Sequence, residues 1–185
     1  MMANLHTIFV DDEMYSLDGY IRELRDRGTR VTGINNSDSA MQLFHRCRND
    51  SVADFDIIIL DMHMPLPSGD HRNRFPTDAE PWEVGAYLLD DFRSWCELIP
   101  VLIFSQRDEV EEVIPAVHRI LQTHYSDVNA TTNVDQMRDE LRERFLVWTA
   151  SKSGRLLRVT PFVDELDRII VEAGEIWRLR PPEHK

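Results

Sequence analysis

The chain is short of several things. Only two cysteines, Cys47 and Cys96, occur in 185 residues. Their positions match no metal-ligand spacing, and the pair reads as two buried thiols in a reducing compartment rather than a disulfide. No apolar run is long enough to cross a bilayer, and the opening MMANLHT lacks the apolar core of a signal peptide. The expected location is therefore cytoplasmic, with no membrane partner. Basic residues are scarce as well: 21 Lys and Arg stand against 33 Asp and Glu, a net charge of −12. Direct nucleic-acid binding is not expected, because phosphate contacts need a basic face. Internal repeats, low-complexity tracts and a second-domain linker are missing too. What remains is a chain of one-domain length whose 42% hydrophobic content can fill a single core.

Short apolar strands alternate with amphipathic helices, the pattern of a doubly wound parallel sheet covered on both faces. IFV ends a first strand, and Met14, Leu17, Ile21 and Leu24 follow at helical spacing up to a stop at Gly28. A second strand is expected at Arg30–Ile34, and Ser37 offers a cap for a helix striped by Ala40, Phe44 and Cys47. Phe55–Leu60 is the most apolar strand and belongs in the sheet centre. Val84, Leu88, Phe92 and Trp95 stripe a third helix, Pro100 precedes a fourth strand, and Val110, Val113, Val117 and Ile120 stripe a fourth helix. The fifth strand is expected at Arg155–Val159, with Pro161 in the first turn of a last helix. Two segments exceed a five-unit fold: a polar loop over 66–82, and a stretch over 125–153 whose Val134, Met137, Leu141, Phe145 and Trp148 predict an extra packed helix. Residues 179–185 form a frayed tail.

The chemistry gathers at strand ends. Asp11 and Asp12 end the first strand, Asp61 the third and Ser105 the fourth. Adjacent carboxyl ends of an open parallel sheet form the usual ligand crevice. Three carboxylates placed there repel one another and burial makes each charge costlier, so the cluster calls for a proton or a bound cation among its members. No Cys or His joins the set, which selects a hard, oxygen-seeking ion, Mg²⁺ or Mn²⁺. His63 and His71, near Asp61 in sequence, lack a third nitrogen or sulfur ligand and read as surface side chains.

These residues resemble the receiver domain of two-component response regulators, from Ile8 to about Trp177. The resemblance rests on Asp61-Met62-His63-Met64-Pro65 with Ser68-Gly69, on the Asp11-Asp12 pair before a helix, on Ser105 after an apolar strand, and on Thr160-Pro161-Phe162. It implies the flavodoxin-like strand order 2-1-3-4-5 and Asp61 as the phosphoacceptor for a histidine kinase or phosphotransfer protein. Asp12, Asp61 and the backbone carbonyl of His63 would ligate the metal, Asp11 would act through a metal-bound water, and Ser105 would contact the phosphoryl group. Signalling would run through a downstream protein effector, with room for a homodimer. Self-phosphorylation and autodephosphorylation would be the only chemistry, so no turnover enzyme is expected.

Three positions depart from the family. Thr160 stands where the family has a lysine, Leu157 where it has an aromatic switch residue, and Gln106 where it has a small side chain. A threonine hydroxyl does not replace a charge. Arg72 and Arg74 in the polar loop are the first candidates to supply that charge if the loop folds over the pocket; solvated arginines are the plainer reading, and Lys152 and Arg158 rank behind. Two other functions therefore stay open. One is a degenerate receiver acting as a phosphorylation-independent interaction module. The other, more distant, is a phosphohydrolase of the haloacid-dehalogenase type, which wants a second Asp where this chain has His63.

Overall fold

The computed structural model describes residues 5–50, 54–106, 112–125, 131–152 and 159–179, with backbone alone at 124, 159, 160 and 177–179. Five strands, β1 (His6–Val10), β2 (Arg30–Ile34), β3 (Ile57–Leu60), β4 (Val101–Ser105) and β5 (Val147–Ser151), make one all-parallel sheet in the order β2-β1-β3-β4-β5. That is the expected order. Successive strand side chains point to opposite faces, and the two resulting cores have different owners. Ile58, Leu60, Val101, Ile103 and Val147 pack beneath α2 (Ser37–Asp50), α4 (Val84–Arg93), α5 (Ile114–His124) and α6 (Val134–Phe145). Phe9, Ile57, Ile59, Leu102, Phe104 and Trp148 pack beneath α1 (Asp18–Asp26) and α7 (Val159–Leu179). Phe162 anchors α7 there, its ring 4.8 Å from those of Tyr20 and Phe104. Gly28 ends α1 at φ 88°, a backbone conformation that favours glycine. The cap of α2 is Asn36, whose Oδ1 accepts from the Ser39 amide at 2.8 Å, while the buried Ser37 hydroxyl donates to the Pro65 carbonyl.

The fifth strand lies elsewhere than the sequence pattern placed it. β5 is Val147–Ser151, inside the 125–153 segment, and pairs in register with β4 from Val101↔Val147 to Ser105↔Ser151. Of the expected strand at Arg155–Val159, residues 155–158 lie outside the described residues and Val159 opens α7. The apolar stripe from Val134 to Trp148 runs unbroken across the junction, but the helix stops at Phe145 because Leu146 turns left-handed at φ 51°. The Leu146 carbonyl accepts the Val101 amide at 2.9 Å and the buried Arg93 guanidinium at 3.3 Å. No glycine announces this turn; tertiary partners hold it. The extra helix itself is present, since both α5 and α6 stand between β4 and β5.

The polar loop over 66–82 is folded. It contains α3 (Gly69–Arg72) and a 3₁₀ turn, Pro81–Glu83, opened by a capping box between Glu80 and Glu83. The Arg72 guanidinium donates to the carbonyls of Phe75, Pro76 and Thr77 at 3.1, 2.8 and 3.1 Å. Phe75 is buried with its ring edge-on to Tyr87. Asp38 of α2 accepts from the Ser68 amide and hydroxyl.

Candidate functional site

Each charged residue of the pocket is the first, or next to first, beyond a strand, and its position is set by extension of the sheet. The Asp11 amide donates to the Ile34 carbonyl at 3.0 Å, the Asp61 amide to Val10 at 2.9 Å, and the Lys152 amide to Ser105 at 2.6 Å. The parallel ladders of β1 with β2, β3 with β1, and β5 with β4 thus run one residue past the strands. They deliver Asp11, Asp61 and Lys152 to one end of the sheet.

The side chains converge as expected for the acids. Asp11, Asp12 and Asp61 each offer a carboxylate oxygen, and these atoms lie within 4.8 Å of one another. Asp11 and Asp61 are buried and Asp12 is exposed. Lys152 places its Nζ 2.5 Å from Asp11 Oδ2 and 2.9 Å from Asp61 Oδ2. Asp11 Oδ1 accepts the Glu13 amide at 2.8 Å, whereas Asp61 Oδ1 is buried without a hydrogen-bond partner. An unsatisfied buried carboxylate oxygen is costly, and with Asp11 and Asp12 beside it a cation would relieve that cost.

Electrostatics point the same way. Burial pushes the Asp61 carboxyl up to about 6; Lys152 and hydrogen bonding from the His63 backbone hold it down in part, and Asp11 adds to the rise. Burial works against the Lys152 charge, but Asp61 and Asp11 outweigh it and hold its pKa above the ordinary lysine value. Burial, with Asp11 and Glu13 nearby, also raises Asp12. Three carboxylates against one ammonium leave the pocket two charges from neutrality. One divalent ion restores that balance, and an all-oxygen donor set suits Mg²⁺. These residues fit the metal.

The reading of a pocket without its lysine is overturned. The cation sought before Pro161 is Lys152, carried one residue beyond β5. Thr160 lies in the first turn of α7 rather than at a strand end. Arg72 and Arg74 do not serve the pocket: Arg72 binds loop carbonyls and Arg74 pairs with Asp91 at 3.0 Å. Ser105 is fully buried at the end of β4, beside Lys152 through its carbonyl. His63 is exposed, close enough to Asp12 to ease its charge, and His71 packs its ring on His45. Neither joins the acid cluster. Leu157 lies outside the described residues.

Sequence reasoning ranked Lys152 behind Arg72 and Arg74, and it missed Gly85 altogether. Its amide donates to the Met62 carbonyl at 3.0 Å, and a Cβ there would lie 2.1 Å from the Asp61 carbonyl oxygen. Only glycine lets α4 press against the backbone that follows the phosphoacceptor candidate. The available signal was a glycine inside an apolar helical stripe. For Lys152 it was the β-prone run Val147-Trp148-Thr149 before it.

No protein-family model matches the chain, and no curated protein matches its sequence. Solved structures do match its fold. A CheY-like response regulator receiver domain protein from Methanospirillum hungatei aligns over 94% of this chain and 98% of its own, at 12% identity and a TM-score of 0.55. A LuxR-family two-component response regulator from Aurantimonas aligns over 91% and 86%, at 16% identity and a TM-score of 0.52. The response regulator TrrA from Thermotoga maritima, solved in complex with Mg²⁺ and BeF, aligns over 89% and 98%, at 14% identity and a TM-score of 0.50. With its sheet order, covered faces and acidic notch at the strand ends, this chain has the fold of response regulator receiver domains.

Proposed function

We propose that the protein is a phosphoacceptor receiver, taking a phosphoryl group on Asp61 from a phosphohistidine of a histidine kinase or phosphotransfer protein in the cytoplasm. The observation that carries this reading is the Lys152 clamp. It grips one oxygen of Asp61 and leaves the other buried without a hydrogen bond beside two further carboxylates. What sets this pair apart from Arg74–Asp91, whose acid also has one oxygen without a partner, is the two further carboxylates beside it. A carboxylate oxygen of Asp61 attacks phosphorus as the N–P bond of the donor breaks. The electron pair leaves on the imidazole nitrogen, which takes up a proton from solvent.

Lys152 keeps a positive charge where the phosphoryl oxygens arrive, and it needs no reorganisation because Asp11 holds it from the other side. Asp11, Asp12 and Asp61, with the His63 carbonyl, would hold Mg²⁺. Once bound, the ion neutralises charge on the transferred group. Ser105, on the ladder that positions Lys152, would report the new group to the loop after β4, and a change there would be read by a protein effector. The degenerate-receiver alternative loses its main support with Lys152 in place.

The test is incubation with acetyl phosphate and Mg²⁺, followed by intact mass. An acid-stable, base-labile adduct that is absent in Asp61→Asn supports the proposal. No adduct at any Mg²⁺ concentration removes it, and rapid turnover of a phosphate ester would favour the phosphohydrolase.

A further inference from the structure

One exposed bond joins the chain after β1 to the chain after β4, at the end of the sheet that carries the pocket. Gln106, next after Ser105, donates from Nε2 to Glu13 Oε2 at 3.1 Å. Glu13 leaves β1 and Gln106 leaves β4, and in the sheet those two strands flank β3, which carries Asp61 at its end. A bond between the outer two therefore passes over the strand end between them. Glu13 is not free to wander, because its amide is held on Asp11 Oδ1 inside the pocket.

We propose that Glu13 and Gln106 form a latch over Asp61 that limits entry of phosphoryl donors. The proposal rests on the receiver reading above. Small donors bring little binding energy of their own, so they feel the latch most; a protein donor has a whole interface with which to displace it. An exposed, charge-assisted hydrogen bond favours a closed arrangement by a factor of about 3 to 10. Glu13 and Gln106 are positioning residues in this scheme, acting on access rather than on the reacting atoms.

The experiment is a double-mutant cycle on the rate of Asp61 labelling by acetyl phosphate and by phosphoramidate at saturating Mg²⁺. Gln106→Ala and Glu13→Ala are each expected to label about 3-fold to 10-fold faster, and the double variant no faster than the faster single one. A charge effect of Glu13 alone would persist undiminished in the Gln106→Ala background, and that additivity would overturn the latch. So would one common rate in all four proteins. Labelling in none of the four removes the receiver reading, and the latch with it. A readout without donor or metal separates the two ideas: the Gln106 side-chain amide resonances shift on Glu13→Ala if the bond exists in solution, and stay in place if it does not.

Discussion

Lys152 and Arg72 both engage several oxygens, and they do different work. Lys152 is buried between two charged carboxylates, Asp11 and Asp61. Arg72 meets three neutral carbonyls of its own loop nearer the surface. The first arrangement keeps a charge on station at a site where water is scarce, and its cost is met only because both partners are ionised. The second gives a loop its shape, and each of its bonds exchanges for water at little net cost. Multiple contacts to a cation do not by themselves mark a functional residue. Burial and the charge of the partners do.

The largest expected effect separates the two cations directly. Lys152→Ala should lower the rate of Asp61 labelling by about 100-fold, the loss typical of one oriented charge at a reacting group. Arg72→Ala should leave that rate unchanged and cost about 1–2 kcal/mol in denaturant unfolding. A slow Arg72→Ala protein would erase the distinction. Gly85→Ala comes next: its Cβ has no room beside the Asp61 carbonyl, so weaker Mg²⁺ binding is expected together with a loss of about 1–3 kcal/mol in stability.

The pH response sharpens the buried half of the comparison. Asp61 titrates at about 6, raised mainly by burial, above the value of an unfolded carboxyl near about 3.9. A raised carboxyl favours folding while it is protonated, so the contribution of Asp61 in the metal-free protein is fully present below the unfolded value, and about 1–3 kcal/mol of it is lost as pH rises through 6. Asp61→Asn should flatten that slope in urea titrations. Mg²⁺ affinity, by calorimetry, should fall as pH drops through the same range, because the ligand oxygen protonates. The smallest effect belongs to the surface: Arg74→Ala should cost under about 1 kcal/mol, as its pair with Asp91 has a half-exposed arginine.

The acid half of the site was legible because it is local. Asp11, Asp12 and Asp61 each follow an unmistakable apolar strand, and a parallel sheet brings such ends together whatever the loops do. Lys152 was passed over for two reasons. The stripe of α6 runs on through Trp148, and the turn at Leu146 carries no residue suited to a positive φ. Gly85 could be seen only once α4 was laid against the chain after Asp61.

Periodicity and strand-end chemistry, both short-range properties, were enough to determine the doubly wound architecture and the acidic notch, and the family resemblance supplied the strand order. Where the fifth strand begins, which cation faces Asp61 and whether the long loop reaches the pocket were decided by contacts between residues far apart in the chain. Arg93 and Val101 hold the Leu146 carbonyl, and Ser105 holds the Lys152 amide. Such bonds fix a turn against its local preference, because satisfying buried backbone groups outweighs the small cost of one left-handed residue.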